Sequence, residues 1–303
     1  QFDGSLGVEG LSLAPAVPAA AGAWAFADGE ASAVAPTTPP PDEGEGTGED
    51  GADRVSSSER IVVYNPGDER AEVEVEVVPT SDETGPPVPP FSLSVGAGGY
   101  EVLDYGEHDR IVPGVAHATI VRSTGNRPVV VERVTLDDAP VPTATATVAG
   151  SGDGGDPPHR SELTASPGAR LAAPRWLFPT VAGPAGEGGA VRVAVLNPDP
   201  DRGVQVRVTP TGAPWSPARD STGDAGPVDV PPGARVTVDL EAEVAAGTLA
   251  AIVHADGPVV VERTVLGADG RRLAMGVGIP LAEGAVVLAP QRRGGLLGPA
   301  YAP

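Results

Sequence analysis

The chain has 303 residues, with 41 acidic against 20 basic side chains, a formal charge of −21 and a pI near 4.4. Phosphate backbones and anionic lipid surfaces would both repel it, because their binders rely on clustered basic charge. No apolar run reaches the ~18 residues of a membrane-spanning helix, and zero Cys removes disulfides, thiolate catalysis and thiolate zinc sites.

Aromatics make up 4% of the chain and there is one Met, so any core must be packed from Val, Leu, Ile and Ala, which suit pleated sheets. The length accommodates two domains of about 130 residues, each burying roughly two-thirds of its unfolded surface. Every basic residue is Arg; with the excess of Ala, Gly, Pro and Val this points to a GC-rich coding bias, as in actinobacteria. Gln1 in place of Met is read as a processed or trimmed N-terminus, compatible with a signal peptide or anchor upstream.

In chain order, the segment Gly10-Leu-Ser-Leu-Ala-Pro15 precedes a Trp-x-Phe element, Trp24-Ala25-Phe26. Residues 37–58 carry Pro, Gly and six acids with little to bury, and are expected to form a disordered loop inserted into the first domain. The next strand ends in Tyr64-Asn65-Pro66, where Asn favours a turn and Pro cannot continue a central ladder. Strict alternation follows, with Ala71, Val73, Val75 and Val77 on one face and Glu72, Glu74 and Glu76 on the other, as in a half-buried antiparallel strand. Two short strands are expected on either side of Gly96 to Gly99, then Ala118 to Arg122 and Val129 to Leu136, joined at Thr124-Gly125-Asn126 by what reads as hairpin turn chemistry.

The same order then repeats. Trp176-Leu177-Phe178, Asn197-Pro198, alternating Val204, Val206 and Val208, a turn at Pro231 to Gly233, and strands Ala250 to His254 and Val259 to Leu266 joined at Asp256-Gly257 match the first half. Pro-Val-Val-Val-Glu-Arg occurs twice, at Pro128 to Arg133 and Pro258 to Arg263. The fold read from this is all-β: two tandem antiparallel β-sandwich domains of immunoglobulin-like type, related by internal duplication. Their expected spans are 1–150 and 161–303, with a linker at 151–160. After Gly10 to Pro15 and Gly168-Ala-Arg-Leu-Ala-Ala-Pro174, a third related segment, Gly284-Ala-Val-Val-Leu-Ala-Pro290, is expected to close the second sandwich as an edge strand, leaving an irregular tail from Gln291. The Trp-x-Phe opening, the Asn-Pro strand end and the closing Gly-Pro-Val-Val-Val-Glu-Arg strand resemble a repeated domain of unknown function in exported actinobacterial proteins. That resemblance implies envelope association and assigns no catalytic residue.

Candidate chemistry is sparse. Glu132-Arg133 and Glu262-Arg263 repeat a charged dipeptide at the end of the most apolar strand, but neighbouring residues on a strand point to opposite faces, so neither dipeptide makes one site. They are read as structural ion pairs, each Arg meeting a cross-strand acid or a loop carbonyl. His108, His117, His159 and His254 show no metal-ligand spacing, and no Gly-x-Ser-x-Gly elbow or phosphate-cradling loop occurs. For calcium, Asn197, Asp199 and Asp201, the pair Asp153 and Asp156, and the acids from Glu43 to Asp53 are candidates, with solvated turn acids the preferred reading. Trp24 and Trp176 recur in the repeat and read as packing; Trp215, alone in a Pro-rich loop, is the one aromatic to test as a ligand contact.

The sequence therefore leads to a non-catalytic module, extracellular or in the cell envelope, without cofactor. Its expected partner is an envelope protein or a cell-wall polymer met through loops, with neither nucleic acid nor direct membrane insertion involved. The alternative is a carbohydrate-binding or calcium-dependent adhesive module resting on Trp215 and the loop acids.

Overall fold

The computed structural model describes residues 19–30, 56–80, 88–125, 127–140, 159–179, 190–211, 227–240, 250–267, 272–281 and 283–288. The described residues form an all-β protein of stacked antiparallel sheets. In the first half, sheet I takes the order β1-β6-β3-β4, from Ala23–Glu30, Ala116–Thr124, Ala71–Pro79 and Phe91–Val95. Facing it, sheet II takes the order β5-β2-β7-β8, from Tyr100–Asp104, Ser56–Tyr64, Val130–Pro140 and His159–Pro167.

The second half repeats this plan strand for strand. Sheet III runs β13-β10-β14-β15, from Arg235–Leu240, Ala190–Leu196, Ala250–Leu266 and Arg272–Val277. Sheet IV runs β9-β14-β11-β12, with β9 at Leu171–Phe178, β11 at Val204–Thr211 and β12 at Val228–Val230. The 17-residue β14 serves both sheets. Its register against β9 breaks between His254 and Val259, where Gly257 lies so near Val204 that an added Cβ would sit 2.7 Å from Cγ1.

Alternation decides which side chains meet. Trp24, Phe26, Ile61, Val63, Val73, Val75, Val121 and Val131 fill the space between sheets I and II. Trp176, Phe178, Val193, Val195, Val206, Val208, Val253 and Val261 fill the space between III and IV. Sheet I buries its other side too. Ala23, Ala25 and Ala27, with Ala118 and Ile120, join the second half's cluster, and their small side chains let sheet I lie closely on the outer face of sheet III. Each Trp donates its indole N–H across its own sandwich, Trp24 to the Val129 carbonyl at 2.8 Å and Trp176 to that of Val259 at 2.9 Å.

Asn65 does more than start a turn. Its Nδ2 donates to the carbonyls of Glu69, Val95 and Gly96, and its Oδ1 accepts from the Gly67 N–H, tying the β2 end to β3 and to the turn between β4 and β5. Asn197 makes the matching set, to Arg202, Val230 and Pro231, and accepts from Asp199. At the tips of the two turns, Gly98 and Gly233 stand at φ 63° and 62°, a conformation open to Gly without strain.

Three expectations are corrected. The connections at Thr124-Gly125 and Asp256-Gly257 do not make hairpins: β6 lies in sheet I and β7 in sheet II, and β14 crosses from IV to III. Short spacing shows that one strand follows another closely, but sheet membership depends on which inner face needs covering. Of the segment 37–58 expected as an acidic loop, residues 37–55 lie outside the described residues, and Ser56, Ser57 and Ser58 belong to β2, pairing with Asp138, Asp137 and Leu136. Of the expected linker, residues 151–158 lie outside the described residues, while His159 and Arg160 belong to β8, which pairs with β7 in the first half's sheet instead of opening the second domain. The closing segment does pair at an edge: Val286–Val287, β17, lies against Ala172 and Leu171.

Candidate functional site

The densest chemistry lies where the two halves meet, and a defect in β1 organises it. Phe26 pairs with Thr119 and Gly29 with His117, so β1 carries one extra residue between them, a bulge at Ala27-Asp28. The bulge withdraws backbone groups from the ladder, and buried groups of that kind need new partners. Arg235 Nε donates to the Ala27 carbonyl at 2.7 Å, and the Asp28 N–H donates to Glu262 Oε2 at 2.7 Å. Arg133 Nη1 donates to the Asp28 carbonyl.

The side chains close the network. Arg133 Nη2 lies 3.1 Å from both carboxylate oxygens of Glu262, and both residues are 0% exposed. Arg133 also lies over the Phe26 ring at 5.1 Å. The Asp28 carboxylate accepts from Arg235 Nη2 at 2.5 Å and from the Thr264 hydroxyl at 2.6 Å. Burial alone would raise the Asp28 pKa, but Arg235, Thr264, Arg192 and Arg272 outweigh it and hold the group at about 2. Glu262 goes the other way: burial raises it, and with Asp28 nearby the attraction of Arg133 does not bring it back.

Two further clusters flank this pair. Arg272 donates to Asp137 from Nη1 at 2.6 Å and from its backbone N–H at 2.7 Å, and Nη1 also reaches Ser57 Oγ at 2.7 Å. Glu59 and His117 approach to 3.5 Å, both buried beside Gly29, where a Cβ would fall 2.7 Å from His117 Nε2. Burial would raise Glu59, yet His117, Arg133 and Arg272 hold it below the usual carboxylate range. The single Met, Met275, presents its sulfur to the Thr164 hydroxyl at 3.1 Å.

Sheet II explains how these groups come together. On its inner face Ile61, Val63 and Val131 pack in the first core, while Ser57, Glu59, Arg133, Thr135 and Asp137 continue the same faces of β2 and β7 toward the second half. Chemically the result is a latch, in which Arg133–Glu262, Asp28–Arg235 and Asp137–Arg272 each join one half to the other.

The repeated dipeptide is thus used crosswise. Arg133 of the first half meets Glu262 of the second, and Arg133 takes both an acid and a backbone carbonyl. Glu132 stands half-buried on the outer face of sheet II, with no ion pair among the described residues. Arg263, on the inner side of β14, is half-buried with its Nε unbonded, and burial lowers its pKa.

Of the other candidates, Trp24 and Trp176 are buried. Asp199 caps its own turn, accepting from the N–H groups of Asp201 and Arg202. Among the described residues no three His, Asp or Glu converge as a metal site. His108 packs on Phe91 and His254 is exposed. Trp215, Asp153, Asp156 and the acids from Glu43 to Asp53 lie outside the described residues, as does the side chain of His159. Sequence reasoning passed over Asp28, Glu59, Asp137, Arg235 and Arg272. Parity was the available signal for two of them, since Glu59 keeps step with Ile61 and Val63, and Asp137 with Val131.

No protein-family model and no curated protein matches the chain. Among solved structures it is similar to the Anabaena sensory rhodopsin transducer, at 23% identity and a TM-score of 0.28 over 39% of this chain and 99% of that one. It is also similar to Thermotoga maritima 1070, at 18% identity and a TM-score of 0.31 over 50% of this chain and 94% of that one.

Proposed function

We infer that the chain is a non-catalytic extracellular or cell-envelope module, built from two duplicated sandwiches locked into one stiff body that carries loops to an envelope protein or a cell-wall polymer. One observation carries this reading: the buried charges are used in joining the halves. Arg133, Glu262, Asp28 and Arg235 face one another instead of a cleft. A hinged pair of domains would leave such groups solvated, whereas buried, mutually paired ions resist separation because parting them strands charge in a poor dielectric. The duplication is supported by the shared strand order and by the matching bonds of Trp24 with Trp176 and Asn65 with Asn197.

Photo-cross-linking from the loops on intact cells tests the reading, with a discrete envelope protein or wall polymer as the expected capture. Turnover of a generic ester, glycoside or peptide substrate by the purified chain, abolished by one point mutation, would overturn it.

A further inference from the structure

Sheet III is covered on its outer face by sheet I. Its counterpart in the first half, the outer face of sheet II, is uncovered among the described residues. Tyr64 lies opposite Tyr100 and Val62 opposite Val102 and Glu132, and Tyr64, Tyr100 and Val102 are 43%, 68% and 43% exposed. In sheet III the same places hold Leu196 opposite Arg235, and Ala194 opposite Thr237 and Glu262. Among the described residues Glu132 therefore occupies, in an uncovered face that also carries the Arg60–Asp104 pair, the place that Glu262 occupies in a covered one. Glu262 has Arg133; Glu132 has no partner among the described residues.

The complementary surface exists at the other end of the molecule. Sheet IV corresponds to sheet I, the sheet that does the covering. Across its outer face Arg207, His254 and Arg175 stand in register on β11, β14 and β9, in a chain whose net charge is −21. The same row of sheet I is Glu74, Arg122 and Ala23. Ile279, 52% exposed, lies in register with Leu177 on the adjoining edge. Arg263, the counterpart of Arg133, keeps an unbonded Nε.

We propose that copies of this chain associate head to tail, the outer face of sheet IV of one copy covering the outer face of sheet II of the next. Arg263 then meets Glu132 across the contact as Arg133 meets Glu262 within the chain. The two faces differ, so the contact is heterologous, and each added copy presents the same two faces again. This goes beyond the loop-borne partner proposed above, and either can fail without the other.

Sedimentation of the purified chain over a concentration series tests it. The expected result is an average mass that keeps rising past the dimer and falls with added salt. E132R is expected to weaken association roughly 30-fold or more, the usual consequence of breaking a desolvated charge pair, and E132R/R263E to recover part of that loss. Y100D, on the same exposed face, is a second variant that does not depend on position 263, and thermal melts check that each variant is folded. A chain that stays monomeric at all concentrations, a closed dimer, or a folded E132R and Y100D that associate like the parent would overturn the proposal.

Discussion

Replacing Arg133 by Met keeps most of the side-chain volume and removes the guanidinium from a site that water does not reach. The Asp28 carbonyl then loses its Arg133 donor, and Glu262 loses its counter-ion, left as a buried anion 0% exposed that keeps the Asp28 N–H. Removing one partner of such a pair typically costs roughly 3–5 kcal/mol, which for a chain of this size lowers Tm by about 10 °C. The pH dependence is the sharper signature. A carboxyl whose folded pKa lies above its unfolded value adds stability at low pH and loses it as pH rises, and Glu262 is already raised by burial. Without Arg133 it rises further, so the deficit of R133M relative to the parent is expected to be large at neutral pH and to shrink on acidification. Urea denaturation followed by tryptophan fluorescence measures both, and R133M/E262Q is expected to recover a substantial part of the loss. If R133M lies within about 1 kcal/mol of the parent at neutral pH, or its deficit is the same at all pH values, the latch does not hold the halves together as argued.

Asp28, held at about 2 against an ordinary 3.8, gives stability that is present above pH 4 and lost as pH falls toward 2, worth about 2 kcal/mol; D28N is expected to flatten this acid limb in melts run against pH while lowering stability at neutral pH. N65A and N197A are each expected to cost roughly 3 kcal/mol in urea unfolding, because three carbonyls and one N–H lose their partner at either site. G168A and G278A would place a Cβ 2.9 and 2.8 Å from the Cζ atoms of Phe26 and Phe178, and each is expected to cost roughly 1–3 kcal/mol. G96A, with nothing within 4 Å, is the control and is expected to melt close to the parent.

Much of the fold is legible in the residues. Val73, Val75 and Val77 alternating with Glu74 and Glu76 give a strand with one dry face, and the recurrence of Trp-x-Phe, Asn-Pro and Pro-Val-Val-Val-Glu-Arg gives the order of strands in each half. Such signals are local, and local backbone geometry enforces them: side chains alternate at every step of a strand, and Pro removes a ladder donor wherever it stands. The structural reading of Arg133 and Glu262 rested on that same alternation.

What the residues left open is long-range. The run Thr124-Gly125-Asn126 looks the same whether the chain turns back in one sheet or crosses to the other, so the sheets of β6 and β7 emerge only when Val121 and Val131 must face each other across a core. The same holds for the latch. Asp28 sits in an apolar string and Arg235 follows a turn, and nothing within either segment says that 207 residues of sequence separate a bonded pair. Parity places Glu59 and Asp137 on inner faces, but the partner of Glu59, His117 on β6, comes from the facing sheet I, and that of Asp137, Arg272 on β15, comes from the other half. The sequence by itself determined strands and their faces; which buried charge answers which was decided by packing one half on the other, since an ion can enter a dry interface only where the fold delivers its counter-ion.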